Sequence, residues 1–170
     1  GLIAMQWAKA LGVTVIGTAG SEEKAALARA HGCDHTILYR QENVVERVRE
    51  ITGGAMVPVV YDSVGKDTFQ VSLDCLQPFG LMVSFGNASG AVPPMALTAL
   101  KGSLYLTRPT LLTHTANRAN LEEMAAELMK LVGSGKIKVR VDQRYPLAEV
   151  ARAHRDLESR KTTGSSLLIP

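Results

Sequence analysis

Short runs of β-branched and apolar residues return along this chain after each stretch of helix-spaced apolar residues, and that alternation excludes most architectures. Val13–Thr18, His35–Tyr39, Val57–Asp62, Leu81–Phe85 and Ser103–Thr107 read as strands, because uninterrupted apolar runs suit strands covered on both faces. Pro58 is compatible with the third of these because it lies near the strand's start. The intervening segments carry helix signals. Ser21 precedes Glu22 and Glu23 and opens a helix that stops at Gly32. Asn43 and Glu46 form a capping-box pattern ahead of Val44, Val48 and Ile51, with Gly53 and Gly54 beyond. Phe69, Leu73 and Leu76 mark the next helix, and Leu121, Met124, Leu128 and Leu131 mark the longest one, with Asn120 and Glu123 suited to its cap. Strands separated by helices cannot pair as tight hairpins, so they assemble into a mostly parallel sheet with right-handed crossovers.

Both ends qualify that pattern. GLIAMQWAKALG begins in a helix, with Leu2, Ile3, Met5, Ala8 and Leu11 on one face and Gly12 as its stop. A helix that opens on glycine and feeds a strand resembles the second half of a βαβ unit, whose glycine turn and first strand would precede Gly1. The expected fold class is therefore a Rossmann-type doubly wound α/β sheet, of order 3-2-1-4-5-6, without its central first strand. The chain reads as a piece of a longer protein. Towards the other end, a strand is expected around Ile137–Val141, then a YPL turn, a helix carrying Leu147, Val150, His154 and Leu157, and the segment GSSLLIP. His154 falls on that helix's apolar face, which favours a packed histidine over a catalytic one.

Composition narrows the function classes. The 170 residues are 46% hydrophobic and 21% charged, the balance of an ordinary globular domain. The net charge of +3 is scattered along helices, which makes nucleic acid an unlikely partner. Cys33 and Cys75 stand apart with no CxxC, as structural thiols do in a reducing, cytoplasmic setting. No apolar run approaches the ~20 residues of a membrane helix. His31, His35, His114 and His154 form no HxxxH, and there is no G-x-S-x-G, metal-ligand spacing or carboxylate pair. No catalytic or metal-binding residue is assigned, which fits a module whose chemistry is supplied by a cofactor.

In an open parallel sheet, ligands bind beyond the carboxyl ends of the strands. Those ends read GTAGSEEK, Tyr39, YDSVG, FGNASG and TRPT, all rich in small and hydrogen-bonding residues. An NAD site places Asp or Glu after the second strand to hold the ribose 2′-hydroxyl. Here Ala19, Gly20 and Ser21 occupy that place, with Lys24 a turn further on. Backbone N–H groups, a hydroxyl and an ammonium suit a 2′-phosphate, so NADPH is expected over NADH. The missing acid also counts against S-adenosylmethionine. Tyr39 either stacks on adenine or covers the core edge, and Asp62 and Ser63 either reach ribose or cap a turn.

GLIAMQWAKALG, VVYDSVG, SLDCLQPFGLMVSFGNASG, KGSLYLTRP and ESRKTTGSSLLIP together resemble the zinc-independent quinone oxidoreductases, the zeta-crystallin type of the medium-chain dehydrogenase/reductase superfamily. The resemblance covers the whole chain. It implies NADPH contacts at Gly20, Ser21, Lys24 and Tyr39 near the 2′-phosphate, at Ser63, and at Gly86, Asn87 and Ser89 on the nicotinamide side. It extends to Pro109, Thr110 and Leu111 and to Arg160. It also implies that residues 1–141 form the NADP(H)-binding domain, and that 142–170 pack back toward a GroES-like catalytic domain supplying most of the quinone pocket. The implied reaction is quinone reduction by NADPH without metal, in a homodimer joined along the strand at 103–107. Reduction of an enoyl thioester, or a non-enzymatic crystallin or RNA-binding role, are the alternatives.

Overall fold

The computed structural model describes residues 1–159 and 162–170. Helix α1 (Leu2–Ala10) leads to β1 (Ile16–Ala19), α2 (Glu22–Arg29), β2 (His35–Leu38), α3 (Val44–Ile51) and β3 (Val57–Asp62). Then follow α4 (Phe69–Asp74), β4 (Leu76–Ser84), β5 (Tyr105–Thr107), α5 (Leu111–Thr115) and α6 (Arg118–Gly133). The chain finishes with β6 (Val141–Pro146), α7 (Val150–Glu158) and β7 (Ser165–Ile169). Every strand pair is parallel, as expected of a Rossmann-type doubly wound fold. Among the described residues no helix is long and apolar enough to cross a membrane.

The sheet is divided. β1 pairs with β2, and β3–β4–β5 forms a second ladder. β1 and β3 are not hydrogen-bonded to each other, so the break falls where the doubly wound order places its central strand. Helix α3 spans the two parts: Val48 packs with Ile37 of β2 and Cys75 after α4, flanked by Ile16, Val57 and Val60. A second core joins Phe69 and Leu73 of α4 to Leu76 and Met82 of β4.

β5 begins at Tyr105 and not Ser103, which has a positive φ of 58°, and four further differences from the sequence expectation each have a local reason. The first strand begins at Ile16 rather than Val13, because the Val13 N–H donates to Ala8 O and closes α1 behind Gly12. Leu76 belongs to β4 rather than α4. It pairs with Val57, and its side chain still fills the α4 core, so periodicity reported burial correctly and the element incorrectly. The α6 cap is Asn117 rather than Asn120; its carboxamide oxygen accepts from Ala119 N at 2.8 Å and Asn120 N at 3.4 Å.

The fourth difference concerns the return segment. β6 starts at Val141, the last residue of the expected 137–141 run. Ile137 is nonetheless buried, and Lys138 is held by a side chain in place of a strand. Gln6 of α1 donates Nε2 to Lys138 O at 3.2 Å and accepts from Lys138 N at 2.8 Å. β6 and β7 then form their own parallel pair. On α7 the buried residue is Ala153; His154 is exposed, not packed.

Candidate functional site

The carboxyl end of β1 turns directly into α2. Ser21 caps that helix: its hydroxyl accepts from Lys24 N at 3.4 Å and its carbonyl from Ala25 N at 3.0 Å. Capping leaves the first-turn amides and the positive end of the helix dipole at the rim. Gly20 lies against Tyr39, and a Cβ on Gly20 would come within 2.8 Å of the phenol oxygen. Tyr39 is itself set by its N–H to Ala19 O at 3.2 Å, which continues the β1–β2 ladder.

These residues share one cleft of about 550 Å³. Gly20, Ser21 and Lys24 form one wall, and Tyr39 and Arg40 another. The start of α1 and the segment Thr162–Gly164 complete it. Among the described residues, Lys24 and Arg40 are the charged side chains lining this space, with no carboxylate. Glu22 and Glu23 are exposed and outside it, and Glu22 is paired with Arg29. The expected cluster of Gly20, Ser21, Lys24 and Tyr39 is therefore brought together. Arg160 lies outside the described residues. Sequence reading missed Arg40 and the 162–164 wall. Arg40 had a usable signal, a cation immediately after the rim tyrosine, and its guanidinium lies 6.0 Å from the Tyr39 ring centre. The 162–164 wall depends on long-range packing. Gly164 sits against Asp142, which accepts from Thr163 Oγ1 at 2.8 Å and Arg140 Nε at 3.0 Å.

A second group forms where β3 and β4 end. Asp62, 4% exposed, takes Val64 N at 2.7 Å and Gly65 N at 3.0 Å on Oδ1. Its Oδ2 takes Thr68 Oγ1 and Ser72 Oγ, both at 2.7 Å. Burial opposes its ionisation, but the bonds from Thr68, Gly65, Ser72 and Val64 outweigh that and hold the carboxyl below its ordinary range. The turn-capping alternative for Asp62 is thus realised.

The loop after β4 is joined to the loop after β3 along its length. Phe85 N donates to Asp62 O at 2.9 Å, Ala88 N to Ser63 O at 3.2 Å, Ser89 N to Val64 O at 2.8 Å and Lys66 N to Gly90 O at 3.1 Å. Ser63, Gly86, Asn87 and Ser89 therefore belong to one body. The Ser89 hydroxyl is engaged within it, donating to Val64 O at 2.8 Å and accepting from Asp67 N at 3.0 Å. This rim offers a ligand its backbone together with the exposed side chains of Ser63 and Asn87.

Pro109, Thr110 and Leu111 follow β5, the parallel neighbour of β4. Thr110 Oγ1 bonds Thr113 Oγ1 at 2.8 Å at the start of α5, and Leu111 is exposed. Neither cysteine is poised as a nucleophile. Burial pushes Cys75 up to about 11 and raises Cys33, whose Sγ donates to His35 O at 2.9 Å. Among the described residues no group of three His, Cys, Asp or Glu could hold a metal ion. The arrangement can bind and orient an anionic, extended ligand across two rims.

The zinc-binding dehydrogenase family profile matches residues 1–140. A quinone oxidoreductase of Pseudomonas aeruginosa is 57% identical over 172 residues, covering 100% of this chain and 53% of its own length. A 2-haloacrylate reductase of a Burkholderia species is 46% identical, over 100% of this chain and 52% of its own length. The crystal structure of Escherichia coli quinone oxidoreductase complexed with NADPH superposes with a TM-score of 0.97 at 58% identity, over 100% of this chain and 53% of that one. The chain thus spans about half the length of the relatives it matches.

Proposed function

Because this chain belongs to the zinc-binding dehydrogenase family, we propose that it is the cofactor-binding part of an NADPH-dependent quinone reductase. The observation that carries this reading is the cleft at the end of β1, where Ser21, Lys24 and Arg40 meet with no carboxylate among the described lining residues. That charge balance suits a phosphorylated ribose and disfavours a bare 2′-hydroxyl. NADPH, when bound, supplies the hydride or electrons. Lys24 and Arg40 neutralise the 2′-phosphate while the α2 amides donate to it, and Tyr39 flanks the adenine end beside Gly20. The joined loops at Ser63, Gly86 and Asn87 face the nicotinamide end, and Arg160 is a further cofactor-binding residue. No residue of the chain is assigned a proton-transfer step.

Residues 1–141 serve as the NADP(H)-binding domain, and 142–170 face a further domain that completes the quinone pocket. Among the described residues β5 bonds only to β4 and leaves Tyr105 and Leu106 exposed, which supports residues 103–107 as the edge of a homodimer. The protein acts in the cytoplasm. Steady-state assays of the full gene product, with NADPH or NADH against a quinone, an enoyl thioester and 2-haloacrylate, test the reading. Turnover of the quinone with NADPH is expected. A preference for NADH overturns the cofactor assignment, and faster turnover of either alkene overturns the substrate class.

A further inference from the structure

Asp62 is buried and ionised, and among the described residues it makes no ion pair. All four of its partners are neutral donors. A cap alone does not demand this, since a Ser or Asn side chain can satisfy a turn amide. A carboxylate alone offers two acceptor oxygens and no donor, so it alone can receive four donors at one point. Those donors come from two elements: Oδ1 fixes the loop amides of Val64 and Gly65, and Oδ2 fixes Thr68 and Ser72 at the start and middle of α4. The main-chain carbonyl of the same residue accepts Phe85 N, one residue before Gly86. One residue therefore ties together β3, its loop, α4 and the beginning of the loop after β4.

We propose that Asp62 is a positioning residue that fixes the Ser63–Gly86 backbone against the nicotinamide end of the bound cofactor, a role that rests on the cofactor reading above. The physical demand is precision. A rim made of main chain and short side chains such as Ser63 and Asn87 has no long side chain to adjust, so its loop must be held before the ligand arrives. Asp62 lies away from the cleft residues Gly20, Ser21, Lys24 and Tyr39, which hold the other end of the same ligand.

This separation makes the role testable with two ligands measured by calorimetry on the full gene product. Adenosine 2′,5′-bisphosphate occupies the phosphate cleft and carries no nicotinamide, whereas NADPH spans both ends. Asp62→Asn is expected to raise the NADPH dissociation constant ~10-fold and to leave that of adenosine 2′,5′-bisphosphate within ~2-fold. It should also shift the fluorescence of bound NADPH toward that of free NADPH. Ser72→Ala removes one of the two bonds to Oδ2 and should give the same split at smaller size, and it carries the test if Asp62→Asn does not fold. Equal weakening of both ligands, or unchanged NADPH binding, overturns the positioning role. A wild-type protein that binds neither ligand overturns the cofactor reading, and this role with it.

Discussion

A Cβ placed on Gly86 would lie 2.4 Å from the carbonyl oxygen of Ser63 and 2.8 Å from its Cα. The two rim loops thus touch backbone to backbone, at a distance no side chain can enter. Gly86→Ala must move main chain, because nothing flexible stands in the way. A stability loss of roughly 1–3 kcal/mol is expected from such overpacking, read as a lowered midpoint in urea, together with weaker NADPH binding.

Lys24 and the β1 end provide the cofactor discrimination. A charge-assisted bond to a phosphate is worth about 1.5–3 kcal/mol. Lys24→Ala should therefore weaken NADPH by roughly 10- to 100-fold and NADH by far less. Titration of both nucleotides checks this, and equal losses would make Lys24 a purely structural residue.

The cysteines govern the alkaline limb of stability. Cys75 ionises at about 11 in the folded chain against an ordinary 9.0, and Cys33 is raised as well. A folded value above the unfolded one means that stability is intact below pH ~9 and is lost as the pH rises through the folded value. Denaturant midpoints measured at successive alkaline pH values should fall, and Cys75→Ala should flatten the decline. Thiol reagents at neutral pH should label neither residue until the protein unfolds.

Asp62 contributes to the acid limb with the opposite sign, alongside Asp34 and Asp142. Its folded value is depressed, so its contribution is present above pH ~4 and disappears as the pH falls through the folded value. Asp62→Asn should lower stability near neutrality, at about 1–3 kcal/mol for each donor left without an acceptor. It should also make the acid limb shallower in pH-dependent melting.

Gln6 can be separated from the site altogether. Gln6→Ala removes both bonds to Lys138, worth about 0.5–1.5 kcal/mol each. The Lys138 amide should exchange with solvent faster and the 134–141 segment should become a protease target, while the rim loops keep their protection.

Features decided by local chemistry were legible in the sequence. Ser21 and Asn43 cap the helices their patterns predict, and Val57–Asp62 is a strand from its first residue to its last. Glycine and serine at the strand ends marked both rims. What escaped depends on competition or on distance. Val13 is β-branched, but its N–H is taken by the end of α1. Leu76 continues a helical period that the β3 edge captures. Ser89 has the chemistry of a ligand contact, yet its hydroxyl holds Val64 and Asp67. Thr162–Gly164 reach the cleft only because β6 and β7 carry them there.

The divided sheet also bears on how the molecule unfolds. Within residues 1–170, β1–α2–β2 and β3–β5 share no ladder bond, so the contacts this chain itself makes between them are side-chain ones. Val48, 4% exposed between Ile37 and Cys75, is the central link. A smaller residue at position 48 would loosen that link, and amide exchange measured on these 170 residues should then show earlier opening on either side of it.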